Sequence, residues 1–229
     1  MNEIFSTESR YYRGATELGF MLSLGALVLL FSVPIVTLGP SMAAGYYVAT
    51  KRKSGHDQYL VRTFIKSFRE NLVHGLILSL ILGVMGFLLL INSTLLVDRD
   101  GGFFSLVFSL VLLVIAFQWT IMSIFAFPLL ARFDQSALQT LRGAFLLGNR
   151  HVKTSLLCAI VFLTIGTLGF LTGVVLPFAL GIYIYFTAGM FVRVFRVHYP
   201  DFDRDISDKH IREAAQADEL KGVNHRELN

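Results

Sequence analysis

Phe31-Ser-Val-Pro34-Ile-Val-Thr37-Leu-Gly39-Pro40-Ser-Met-Ala-Ala44-Gly-Tyr46-Tyr47-Val48 is the stretch whose reading decides the fold, because it interrupts an uncharged run from Leu18 to Thr50. As one helix at 1.5 Å per residue that run would be about 50 Å long, against a hydrocarbon core of roughly 30 Å. One straight span cannot use all of it. Pro34 and Pro40 lack a backbone donor, and Gly39 permits backbone angles that other residues avoid, so the helix is expected to end or kink between Pro34 and Pro40. A shorter helix from about Ser41 to Thr50 should follow. It is stopped by Lys51, Arg52 and Lys53, cations that are tolerated at a headgroup surface and costly in lipid.

Composition points the same way. Hydrophobic residues make up 54% of the chain and charged ones 16%, where soluble domains carry about 25% charged residues. The mean hydropathy is +0.62. A net charge of +4 could signal a nucleic-acid partner, but the cations stand beside apolar runs with no binding motif among them. A cytoplasmic bias of Lys and Arg explains them instead. Arg10 and Arg13 ahead of an apolar run, with Ala43-Ala44 behind it, imitate a secretory signal, yet Lys51 to Lys53 would oppose translocation. The lone Cys158 allows no disulfide framework within one chain.

Outward from the break, residues 51 to 70 hold six cations, Lys51, Arg52, Lys53, Arg62, Lys66 and Arg69, against Asp57 and Glu70. Leu60, Phe64 and Phe68 recur every four residues there, which predicts an amphipathic helix on the inner surface. Ala131 to Lys153 is again basic, and Leu138, Leu141, Phe145 and Phe133 predict a second one. The uncharged runs between these loops predict further spans, and the run from Thr154 to Val192 is long enough for two, joined near Thr172 to Pro177. The expected fold is all-α: a polytopic membrane helix bundle of about five transmembrane helices with a Pro/Gly-broken first helix and two amphipathic cytoplasmic surface helices. The spans are expected at about 18–36, 72–96, 103–128, 154–172 and 176–193. Residues 1–198 then form the transmembrane domain and 199–229 a soluble cytoplasmic tail. Five spans put the amino terminus outside and the carboxyl terminus in the cytoplasm; a hairpin over Leu18 to Thr50 would return the amino terminus inside. Phe31 to Val36 and Phe125 to Leu130 share Phe, then Pro three residues on, then two aliphatics, which raises a parallel repeat of spans one and two in spans three and four.

Pro34-Ile-Val-Thr37-Leu-Gly39-Pro40, followed by Ala44 and Tyr46-Tyr47, resembles the signature of the bacterial YesL family. Phe68-Arg-Glu-Asn71 and Phe127-Pro128-Leu-Leu-Ala-Arg132-Phe133 agree with it. The likeness covers about Leu18 to His198, with Ala43 and Gly45 where that family is expected to carry Thr and Leu. It implies a multi-pass protein of the bacterial plasma membrane with no known molecular function. Members are often encoded beside sugar ABC transporters, which implies a link to carbohydrate uptake and the membrane subunits of a sugar importer as partners.

Chemistry is sparse. The expected span interiors hold no charged residue, which argues against proton or ion coupling. Gln118, beside Trp119, is the most polar deep side chain and is expected to hydrogen-bond a neighbouring helix, as packing or as a ligand contact. Thr37 can satisfy carbonyls freed at the break, although broken helices also build transporter sites. Tyr46, Tyr47, Tyr183 and Tyr185 fit either a sugar path or interfacial anchoring. The histidines lack ligand spacing, the Asp201, Asp203 and Asp205 alternation lacks the rest of a calcium loop, and no phosphate loop or nucleophile elbow is present. No enzyme, metal or cofactor is expected. Two functions stay open: an accessory or scaffolding component bound to the bilayer and to another membrane complex, and a small transporter or channel for a neutral solute such as a sugar.

Overall fold

A computed structural model describes residues 10–55, 59–97, 102–133, 135–172 and 176–198. Among them every regular element is helical: α1 Arg10–Phe31, a 3-10 turn Ile35–Thr37, α2 Leu38–Lys53, α3 Leu60–Glu70, α4 Leu72–Val97, α5 Phe103–Arg132, α6 Ala137–Arg150, α7 Val152–Thr172 and α8 Leu176–His198. Four stretches are long and apolar enough to cross a membrane: Gly14–Phe31, Leu72–Thr94, Phe103–Arg132 and Phe178–Val197. The pair α6 and α7, bent by 101° between them, adds a fifth only if the two count as one broken span. The polytopic helix bundle read from composition is therefore the fold. The expected tail and the joint between the last two spans, residues 199–229 and 173–175, lie outside the described residues.

The break comes where Pro34 forces it. A residue before proline avoids helical angles, so α1 closes with Ser32 N–H on the Leu29 carbonyl and stops. Pro40 does not break anything. It sits in the first turn of α2, where backbone N–H groups have no intrahelical acceptor, so its missing donor costs nothing. The second helix consequently starts at Leu38, three residues earlier than expected. Its far end carries Lys51, Arg52 and Lys53 against the negative pole of the helix, and Gly55 at φ 82° turns the chain away.

α2 folds back on α1. Val28 lies beside Gly45 and Glu17 beside Arg52, so contacts run in opposite order along the two helices and the pair is an antiparallel hairpin. Of the two arrangements left open for residues 18–50, a crossing span or a hairpin, the helices pack as the hairpin. The turn at 32–37 returns the chain, and both ends of the hairpin share one face.

α2 is the buried centre of the molecule, packed against α1, α3, α4, α5 and α8. Small residues allow this: Gly39, Ser41, Ala43, Ala44, Gly45 and Ala49 are all buried and let neighbouring backbones approach closely. α3 is amphipathic as expected, with Phe64 and Phe68 buried against Phe31 at ring distances of 5.4 and 5.0 Å and Arg62, Lys66 and Arg69 exposed. α6 starts on a capping box between Ser136 and Gln139. Its buried face is Ala137, Leu141, Ala144 and Gly148, whereas the expected Leu138 and Phe145 are exposed. The small side chains let α6 lie close on α5: a Cβ built on Gly148 would be 2.3 Å from Ile121. Larger ones would hold it off. The proposed sequence echo also has two different outcomes, since Pro34 lies between helices and Pro128 inside α5.

Candidate functional site

Beside the first turns of α2 the bundle encloses a cavity of about 610 Å³. Leu38, Met42 and Tyr46 of α2 form one wall, Ser79, Leu82 and Gly83 of α4 another, and α5, α7 and α8 the rest. Its size lies within the roughly 300–1,000 Å³ of ordinary ligand pockets. Two close approaches hold the α2 and α4 walls together. A Cβ on Gly39 would fall 2.5 Å from the Gly75 carbonyl and 1.9 Å from Ser79 Oγ, and a Cβ on Gly75 would fall 2.8 Å from the Pro40 ring. Gly39 is therefore needed for want of a side chain and not for its backbone angles, since Gly55 alone among the described glycines has a positive φ.

Most polar groups around the cavity are already occupied. Trp119 Nε1 donates to the Leu82 carbonyl at 2.9 Å, with its ring pressed on Gly86. Thr120 and Ser123 hydroxyls donate back to the carbonyls of Ala116 and Trp119. Tyr46 OH is 3.1 Å from Thr187 Oγ1, which lies 2.6 Å from the Tyr183 carbonyl. Ser79 Oγ is the exception, buried and without a hydrogen-bond partner. Such a lining accepts an apolar occupant with one or two polar atoms. A sugar would bury several hydroxyls unpaired, each costing about 1–3 kcal/mol.

The remaining residues singled out in the sequence are dispersed. Thr37 Oγ1 donates within the break, with the Phe31 carbonyl at 2.5 Å and that of Pro34 at 2.7 Å; Pro34 itself is exposed. Pro40 and Ala44 are buried in α2, and Tyr47 has the Lys51 ammonium 4.8 Å over its ring. Phe68 packs on Phe31, and Asn71 caps α3 through the Ser67 carbonyl. Pro128 is buried within α5, and Arg132 is buried where α5 meets Thr50 and Lys51 of α2. Gln118 and Trp119 part company: the indole lines the cavity, while Gln118 Nε2 is buried without a hydrogen-bond partner.

Residues 17–93 match a family described as "Protein of unknown function, DUF624". No curated protein and no solved structure matches the chain. The DUF624-like segment runs from Glu17 through most of α4, so it includes the hairpin, α3 and the α2 and α4 walls of the cavity.

Glu17 begins a second polar cluster that sequence reading missed. Arg52 Nη2 lies 2.8 Å from Glu17 Oε1, and Tyr185 OH donates to Oε2 at 2.5 Å. The Arg52 guanidinium covers Phe20 and the Lys53 ammonium sits 3.5 Å over the Tyr185 ring. The cluster ties α1, α2 and α8 together at the open end of the hairpin. Its members are 35 and 168 residues apart in sequence, so no local spacing announced them. Among the described residues, no group of three His, Cys, Asp or Glu side chains could hold a metal.

Proposed function

We propose that this protein is an accessory or scaffolding component of the bacterial plasma membrane, in the manner that the YesL likeness implies, and that its partners are the membrane subunits of a carbohydrate importer. The observation that carries the reading is Gln118. It stands about midway along α5, the most polar side chain of that helix's interior, and its amide nitrogen has no acceptor within the described chain. Gln118 as a residue is half-buried, so a turn of its side chain brings the covered amide to the helix surface, where a partner helix offering a carbonyl or hydroxyl satisfies it, and such contacts join helices in lipid. The apolar cavity speaks against the rival reading, a path for sugar, and the Thr37 hydroxyl spends its proton inside the break. The end of the hairpin bearing Lys51, Arg52 and Lys53 faces the cytoplasm on this reading, with the start of α1 beside it.

The test is purification in mild detergent. Wild-type protein should carry a permease partner in fixed stoichiometry, and Gln118→Leu should lose it while melting no lower than wild type, because the substitution removes an unpaired polar group. Flux of a sugar through the purified protein alone in liposomes would defeat the proposal.

A further inference from the structure

Leu38, Phe162 and Leu163 on the cavity's rim are 43%, 52% and 66% exposed. The α4 and α5 walls belong to stretches that cross the membrane, Leu72–Thr94 and Phe103–Arg132, so the medium at the opening is hydrocarbon. We propose that the cavity holds one acyl chain of a bilayer phospholipid, entering sideways between α7 and the α4–α5 pair. This goes beyond the accessory role and does not depend on it.

Three features select this occupant. Water would find few partners, because Trp119, Thr120 and Ser123 donate to carbonyls, Tyr46 is paired with Thr187 and Ser79 Oγ is covered. The lining is otherwise aliphatic and aromatic, with Met42 able to adapt to a flexible chain. The third feature is the order along α4. Ser79 lies nearer the start of the helix, Leu82 and Gly83 one turn deeper, and Trp119 is bonded at that deeper level. A chain that enters beside Ser79 therefore runs along α4 past Gly83 to the indole.

Trp119 is the only tryptophan in the chain, so its fluorescence reports the cavity alone. The full-length protein in dodecyl maltoside is titrated with phosphatidylcholine brominated at mid-chain, whose bromine quenches tryptophan on contact. Wild type should show saturable quenching. Gly83→Leu fills the cavity from α4, where an added Cβ meets nothing within 4 Å, and should lower the quenching by about threefold or more at an unchanged melting temperature. Ala159→Leu fills it from the α7 wall and should act alike, which guards against one variant failing to fold. Ser79→Ala, whose hydroxyl is covered by Gly39 and does not meet the chain, should leave the quenching and the apparent affinity as in wild type. Quenching that rises without saturation and equally in all variants would mean that Trp119 meets only solvating lipid. Absent quenching throughout would mean that another protein segment or nothing fills the space. Either result overturns the proposal.

Discussion

Replacing Gly39 by alanine adds one methyl group, and the structure sets what that methyl meets. It would lie 1.9 Å from Ser79 Oγ, 2.5 Å from the Gly75 carbonyl oxygen and 3.1 Å from the Phe127 ring. Ser79 can rotate and Phe127 can give a little. The Gly75 oxygen is backbone within α4 and cannot move alone, so α2 and α4 must separate by about 1 Å, a gap that forfeits a quarter to a half of the dispersion well for atoms along the seam. Overpacking of this kind costs about 1–3 kcal/mol, and a backbone obstacle puts Gly39→Ala near 3. The matched control is Gly83→Ala, in open space on the same α4, which should gain up to about 1 kcal/mol from helix propensity. For a chain of this size about 2–4 °C of melting temperature accompanies each kcal/mol, so Gly39→Ala should melt about 6–12 °C below wild type and Gly83→Ala slightly above it. Thermal unfolding in detergent, followed by Trp119 fluorescence, reads both. Melting of Gly39→Ala within about 2 °C of wild type would refute the close approach. Full rescue by adding Ser79→Ala would show that the side chain, and not the Gly75 carbonyl, is the obstacle.

Thr37→Val removes the hydroxyl bonded to the Phe31 or Pro34 carbonyl and should lower stability by about 0.5–1.5 kcal/mol in the same melt; unchanged stability with lost partner capture would make the break a functional site. Cysteines placed one at a time at Gly14 and Ser54 should react with an impermeant maleimide from the same side of the membrane, because the Glu17–Arg52 contact brings the hairpin's ends together; labelling from opposite sides would contradict the hairpin. Tyr46→Phe should cost about 1 kcal/mol by orphaning Thr187 from its tyrosine partner, and adding Thr187→Val should cost less than the sum of the single changes, a shortfall that a double-mutant cycle of melting curves measures. Arg52→Gln should destabilise by no more than about 1 kcal/mol, because both partners of the ion pair are partly exposed, with recovery when Glu17→Gln is added.

The sequence by itself determined that the chain is a membrane helix bundle, because lipid requires long uncharged helical runs and such runs are visible residue by residue. It also located the break, since Pro34 acts on its own backbone and on that of Val33, and it marked the amphipathic α3, whose four-residue period is local. Only the tertiary structure decided which way the chain leaves the break. An uncharged run reads alike whether it crosses or doubles back, and the hairpin is held by Glu17 meeting Arg52 and Val28 meeting Gly45, contacts between residues far apart in sequence. The same distance hid the meaning of Gly39, which serves Gly75 on another helix and not its own backbone angles. It hid the buried face of α6 too: a stripe of Leu138 and Phe145 promises burial, but α5 accepts the side with the smaller residues because a close approach needs them. The cavity belongs wholly to this second class. Its walls come from α2, α4, α5, α7 and α8, and no single stretch of sequence records where five helices leave room between them.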